Sequence, residues 1–180
     1  ELKRLVSDYL YKDILEYDRI KSSETIKNLL EALALQIGHE VSYTELASLI
    51  KSNPHTVRSY LDILEKAFVV FRLRPLSRNL RKEIGKSRKV YFFDTGLRNA
   101  LINNFNPLSL RQDTGALWEN FVISEFQKRQ YSPDVSSPSY FWRTYDQQEI
   151  DYIEDKNGQL SAYEIKWQKS KKSAPTAFRN

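Results

Sequence analysis

The chain has 180 residues, 41% of them hydrophobic and 13% aromatic, which excludes a disordered polymer. It has no cysteine, so a disulfide framework, a thiolate metal site and a cysteine nucleophile are excluded too. No apolar run nears the ~20 residues of a membrane span, and no N-terminal signal segment is visible.

The net charge of +5 is localised. Residues 78–113 hold eight basic and three acidic side chains, whereas 1–77 hold eleven of each and 114–180 nine of each. A basic stripe between two neutral modules is a candidate phosphate-contact surface; the alternative is a solvated linker. The lack of cysteine fits a reducing cytoplasm, the compartment we expect. A start at Glu1 and the absence of methionine lead us to expect an excised region of a larger protein. His39 and His55 are too few and too isolated for a zinc site.

In chain order, residues 2–18 have helical spacing of Leu2, Leu5, Val6, Tyr9, Leu10, Ile14 and Leu15. A second helix is expected over 24–37, stopped by Gly38. Ser42-Tyr-Thr-Glu45 is a capping box that opens a short helix through Ile50. Lys51-Ser52 turns, and Asn53-Pro54 caps and starts a longer helix, because proline's missing N–H is not needed at the first helical position. Phe68–Leu73 reads as a strand. Helix, short helix, turn, longer helix, strand is the layout of a winged helix-turn-helix, in which the longer helix leads into the major groove. His55, Thr56, Arg58 and Ser59 face outward on that helix and can hydrogen-bond. Arg72, Arg74, Arg78, Arg81 and Lys82 lie on or after the wing. These nine are the candidate DNA-binding residues, and protein docking is the alternative use of the module.

Residues 75–89 are basic and loop-like. Gly85-Lys86-Ser87 imitates a phosphate loop, but Leu80 stands where that motif needs glycine, so it is no nucleotide site. Lys89–Asp94 is an apolar strand, and Thr95-Gly-Leu-Arg98 starts a helix to about Leu101. Residues 115–128 form an amphipathic helix with Leu117, Phe121, Val122 and Phe126 on its buried stripe and Glu119 beside it. Tyr140–Thr144 is a strand.

A hairpin follows. Asn157-Gly158 is a strong tight-turn signal, since both central residues of that turn need positive φ. This register puts Lys156 opposite Gln159, Asp151 opposite Glu164 and Glu149 opposite Lys166. Ile150, Tyr152, Tyr163, Ile165 and Trp167 then share a core face, and the four charged residues share the other. Opposed carboxylates repel, and a divalent cation such as Mg²⁺ or Mn²⁺ between them would relieve that. The alternative is an ordinary solvated hairpin face. The basic tail after Trp167 is expected to fray. The organisation expected is therefore a helical region over 1–77, a basic connecting segment over 78–113 and an α/β module over 114–180, an α+β chain with a mixed sheet.

Asp151 followed a strand later by Glu164-Ile-Lys166 resembles the PD-(D/E)XK nuclease core, with Ile150 in place of the usual proline. The resemblance implies a restriction-endonuclease-like fold in which Asp151 and Glu164 bind a metal, Glu119 completes the site and Lys166 positions the attacking water. More specifically, nearly the whole chain resembles the C-terminal region of a prokaryotic family of AAA-type ATPases. The stretches that carry this are Tyr9–Leu15, Val41–Ala47, Thr56–Leu61, Tyr91–Arg98, Gly115–Phe121 and Glu149–Asp151. It implies an ATP-binding domain elsewhere in the protein, with ATP bound only there, and a winged helix joined to a nuclease-like fold. Three functions are then in view: a metal-dependent DNA endonuclease, a catalytically inactive DNA- or protein-binding regulatory domain, and an oligomerisation module using the exposed aromatics.

Overall fold

The computed structural model describes residues 22–77, 88–131, 137–144, 146 and 148–167. The expected helix at 2–18, the basic loop with Arg78, Arg81 and Lys82, and the tail after Trp167 lie outside these residues. The described elements are α1 (Ser23–Leu35), β1 (Glu40–Val41), α2 (Tyr43–Leu49), α3 (Pro54–Lys66), β2 (Val70–Pro75), β3 (Arg88–Phe92), α4 (Thr95–Leu101), α5 (Thr114–Arg129), β4 (Ser139–Arg143), β5 (Glu149–Lys156) and β6 (Gln159–Tyr163). Among the described residues, five α-helices and a six-stranded mixed sheet make this an α+β chain.

Local chemistry sets the helix starts. Ser22, Ser42, Asn53 and Asp94 each cap a helix by accepting a backbone N–H, from Thr25, Glu45, Thr56 and Leu97 respectively. Each bond satisfies a donor that has no partner inside the helix. At its other end α3 closes in a Schellman pattern, with Phe68 N–H donating to Glu65 O and Val69 N–H to Leu64 O, both at 3.0 Å. Phe68 takes the left-handed position (φ 54°), and this moves the start of the strand from the expected Phe68 to Val70.

The strand order is β1-β3-β2-β4-β5-β6. The neighbours are antiparallel except β2 and β4, which pair in parallel through Arg74↔Tyr140 and Pro75↔Phe141. One sheet thus runs without a break from the helical half into the C-terminal half. Alternation along β2 and β3 divides the core. Val70, Val90 and Phe92 pack with the buried faces of α1 to α3, while Phe71, Leu73, Tyr91 and Phe93 pack with Phe141, Tyr152 and Ile123 of α5.

The β5–β6 hairpin turns at Asn157 (φ 55°) and Gly158 (φ 84°), in the expected register from Lys156↔Gln159 to Tyr152↔Tyr163. The ladder then ends, so Asp151 does not pair with Glu164, nor Glu149 with Lys166. On its other side β5 is bulged. Tyr140 pairs with Ile153 and Trp142 with Ile150, so two steps of β4 span three of β5. An extra residue reverses the side-chain alternation. Ile150 accordingly packs with Ile153, not with Tyr152 as expected, while Tyr152, Tyr163 and Ile165 do share a cluster.

The buried line of α5 also differs from the expected stripe. Asn120, Ile123 and Ser124 are buried, and Phe121 is 44% exposed. The cause is Asn120, whose amide replaces a strand neighbour: Oδ1 accepts from Phe92 N–H at 2.8 Å and Nδ2 donates to Phe92 O at 2.9 Å. Seating this polar residue rotates the helix off its most apolar face. Trp167, expected in the core, is 47% exposed and meets Trp118 edge to face at 5.6 Å.

Candidate functional site

Four elements converge beside the β5 bulge. From β3 come Lys89 and Tyr91, two residues apart and therefore on one face. From α5 comes Glu119, placed by the neighbouring Asn120 clamp. From β5 come Glu149 and Asp151, and beyond β6 come Glu164 and Lys166. The bulge explains Asp151. It is buried, and instead of facing solvent across a ladder its Oδ2 accepts the N–H of Ile165 at 2.7 Å. That bond holds the 164–166 segment after strand pairing has ceased.

Glu119 is engaged twice. Its Oε1 accepts from Tyr91 Oη at 2.7 Å and lies 3.2 Å from Lys89 Nζ. Lys89 is 2% exposed and is also ion-paired with Glu149, which Arg143 approaches at 3.8 Å. Gly38 (φ 75°) leaves room beside this carboxylate: a Cβ built there would lie 3.3 Å from Glu119 Oε1. Lys166 Nζ pairs with Glu164 Oε1 at 2.7 Å, and Oε2 of Glu164 is buried with no hydrogen-bond partner among the described residues.

The electrostatics follow from this crowding. Burial pushes the Asp151 carboxyl up to about 6; the Ile165 N–H opposes the shift and Glu119 adds to it. Burial by itself would lower Lys89, but Glu119 and Glu149 outweigh it and hold the ammonium above its ordinary value. Burial and then Glu119 push the Tyr91 phenol well up, so it stays a donor. The hydrogen bond to Glu164 raises Lys166.

Of the expected residues, Glu119 and Asp151 are brought to one cluster, and Glu164 and Lys166 flank it as an ion pair. Lys89 and Tyr91 were missed because a lysine in an apolar strand reads only as a strand end. Gly38 was read only as a helix stop. Two adjacent signals were available, a charged residue on the inward face of β3 and the carboxylates it could neutralise, but linking them needs the fold.

At α3 the N-terminal turn exposes His55 and Arg58 and half-exposes Thr56 and Ser59. Arg74 is exposed on β2. Arg72, expected to contact DNA, is committed internally. Its guanidinium donates to Tyr43 Oη at 2.9 Å and Asp62 Oδ1 at 2.5 Å and is paired with Glu65, tying α2 and α3 to β2. A third network joins α1, α4 and α5. Arg98 Nε donates to Ala34 O at 2.7 Å, and both Arg98 and Arg111 pair with Asp113, whose carboxyl those bonds hold well below the usual range.

Among the described residues, no group of three or more histidine, aspartate or glutamate side chains is arranged to hold a metal ion. No described helix is long and apolar enough to cross a membrane.

A domain of unknown function, DUF8612, matches residues 1–108, and a second, DUF4143, matches residues 114–180. The chain belongs to the DUF8612 family and carries a DUF4143 region after it. Uncharacterized proteins of Mycobacterium tuberculosis and Mycobacterium bovis are each 31% identical over 163 residues, 89% of this chain and 36% of the relative. One of Haemophilus influenzae is 25% identical over 169 residues, 88% of this chain and 38% of its own. The chain thus spans little more than a third of the length of these relatives. No solved structure matches it.

Proposed function

We propose that this chain is a DNA-binding region of a longer AAA-type ATPase, a winged helix fused to a nuclease-like sheet. The observation that carries the reading is the capped N-terminus of α3, where Asn53 and Pro54 fix the helix start and His55 and Arg58 stand exposed. The element order α1-β1-α2-α3-β2-β3 and the strand order β1-β3-β2 fit a winged helix. Arginine at such a position pairs with guanine or phosphate. Binding of this type is mostly electrostatic and weakens steeply with salt, because each neutralised phosphate releases counterions.

Fluorescence anisotropy with a labelled duplex tests this. Affinity should fall steeply between low and physiological salt. Arg58→Ala with His55→Ala should weaken it by roughly tenfold or more, the worth of one good base or phosphate contact. Affinity that ignores both salt and the double substitution would remove the reading.

A second reading, metal-dependent cleavage by Glu119, Asp151, Glu164 and Lys166, has in its favour the bulge that brings Asp151 toward Glu119. Oxygen donors suit Mg²⁺ chemically. As arranged, however, the donors do not fit a metal: Glu119 holds Lys89 and Tyr91, Asp151 holds Ile165 N–H, and Glu164 holds Lys166. The same resemblance therefore favours a regulatory domain that binds without cutting. Incubation of plasmid with the chain and Mg²⁺ should give retention and no nicking. Nicking that Asp151→Ala and Lys166→Ala abolish would reverse this.

A further inference from the structure

Lys89 belongs to none of the four nuclease-like positions, yet it is paired with one of them, Glu119. Its side chain is 2% exposed, and its ammonium meets Glu119 of α5 and Glu149 of β5, two carboxylates brought together only by the fold. Removing an ammonium from water is unfavourable unless partners compensate. Two carboxylates sharing one small site repel each other unless a cation lies between them. Each side of the contact therefore requires the other. Tyr91 donates to the same oxygen of Glu119 from a further direction, and Gly38 leaves that carboxylate the room a Cβ would take.

We propose that the Lys89 ammonium is the resident cation of this cluster, lodged where a divalent ion bridging Glu119 and Glu149 would otherwise sit. The cluster is then neutralised from within and closed to metal while Lys89 is present. This accounts for the mismatch between an oxygen-rich constellation and its lack of fit to Mg²⁺. Two carboxylates with water filling the remaining positions are enough for a small hard cation, so removing the ammonium should open the site. The inference concerns the cluster alone and stands whether or not α3 binds DNA.

The test uses the whole chain as wild type, Lys89→Met and Lys89→Arg, with Mn²⁺ as probe, by calorimetry and thermal unfolding. Wild type and Lys89→Arg should neither bind Mn²⁺ at the cluster nor change Tm with it. Lys89→Met, with its carboxylates left facing each other, should melt lower, recover with Mn²⁺ and show a Mn²⁺ binding isotherm that wild type lacks, since binding to the folded state alone raises stability. Adding Glu149→Gln should erase that gain. If Lys89→Met does not fold without cation, its folding on addition of Mn²⁺ is the same readout. Two results would overturn the proposal: Mn²⁺ binding by wild type that Glu149→Gln removes, or a Lys89→Met protein that Mn²⁺ neither binds nor restores. Anisotropy on DNA in metal-free buffer separates either failure from failure of the DNA-binding reading.

Discussion

Asp151 shows how much one side chain can owe to its surroundings. Its carboxyl titrates near 6, against an ordinary 3.8, chiefly because it is buried. The folded state therefore holds its proton more tightly than the unfolded chain does. Asp151's favourable contribution is present below about pH 4 and is lost as pH rises through about 6, the opposite of a salt-bridged aspartate. Asp151→Asn has no charge to bury and can still accept the Ile165 N–H. It should stabilise the protein at pH 7 by on the order of 2–3 kcal/mol and leave it unchanged below pH 4. Urea unfolding at both pH values checks this; equal stability of the two proteins at pH 7 would refute it. The sequence identified Asp151 as special through its spacing to Glu164-Ile-Lys166. It did not reveal the partner, because the expected ladder ends at Tyr163 and a backbone N–H takes the place of the opposing carboxylate.

At the scale of the element, the hairpin was the most legible part of the chain. Asn157-Gly158 fixes the register through local backbone preference alone, and no distant contact competes with it. Gly158 has φ 84°, and a Cβ built there would meet nothing within 4 Å. The cost of Gly158→Ala is thus purely conformational, about 1 kcal/mol or somewhat more, and should appear as a matching drop in unfolding free energy with no change in the site. A null effect would mean that the turn had changed type. Where polar contacts competed with apolar pattern, the elements were less legible. In α5 the Asn120 amide, paired with both backbone groups of Phe92, outweighs burial of Phe121, because two unsatisfied backbone groups inside would cost more than one half-exposed ring. In β2 the Schellman closure of α3 claims Phe68 before the strand can begin.

The molecule as a whole is organised by the parallel pairing of β2 with β4. It joins sequence segments more than sixty residues apart into one sheet and lets α5 cover strands from both halves. Phe141, Tyr152 and Ile123 bury themselves against Phe71, Leu73, Tyr91 and Phe93. Residues 114–180 on their own would expose this surface together with the β2-facing edge of β4. That fragment should show no cooperative melt and weak near-UV dichroism, whereas the full chain should unfold in one transition. A cooperative melt of the fragment would show that the C-terminal half carries a sufficient core without the first. The same pairing builds the cluster, since Lys89 and Tyr91 come from the first half and Glu119, Glu149 and Asp151 from the second.

By itself the sequence determined what is local: the helix starts at Ser42, Asn53 and Thr95, the turn at Asn157-Gly158, the α+β composition and the candidate carboxylates. These depend on hydrogen bonds and φ preferences spanning three or four residues, which the order of residue types encodes directly. Tertiary structure alone decided which charges meet. The β5 bulge, the seating of Asn120 and the burial of Lys89 between Glu119 and Glu149 arise from the energy of packing distant segments, where a charge is tolerated only once its partner has been brought to it.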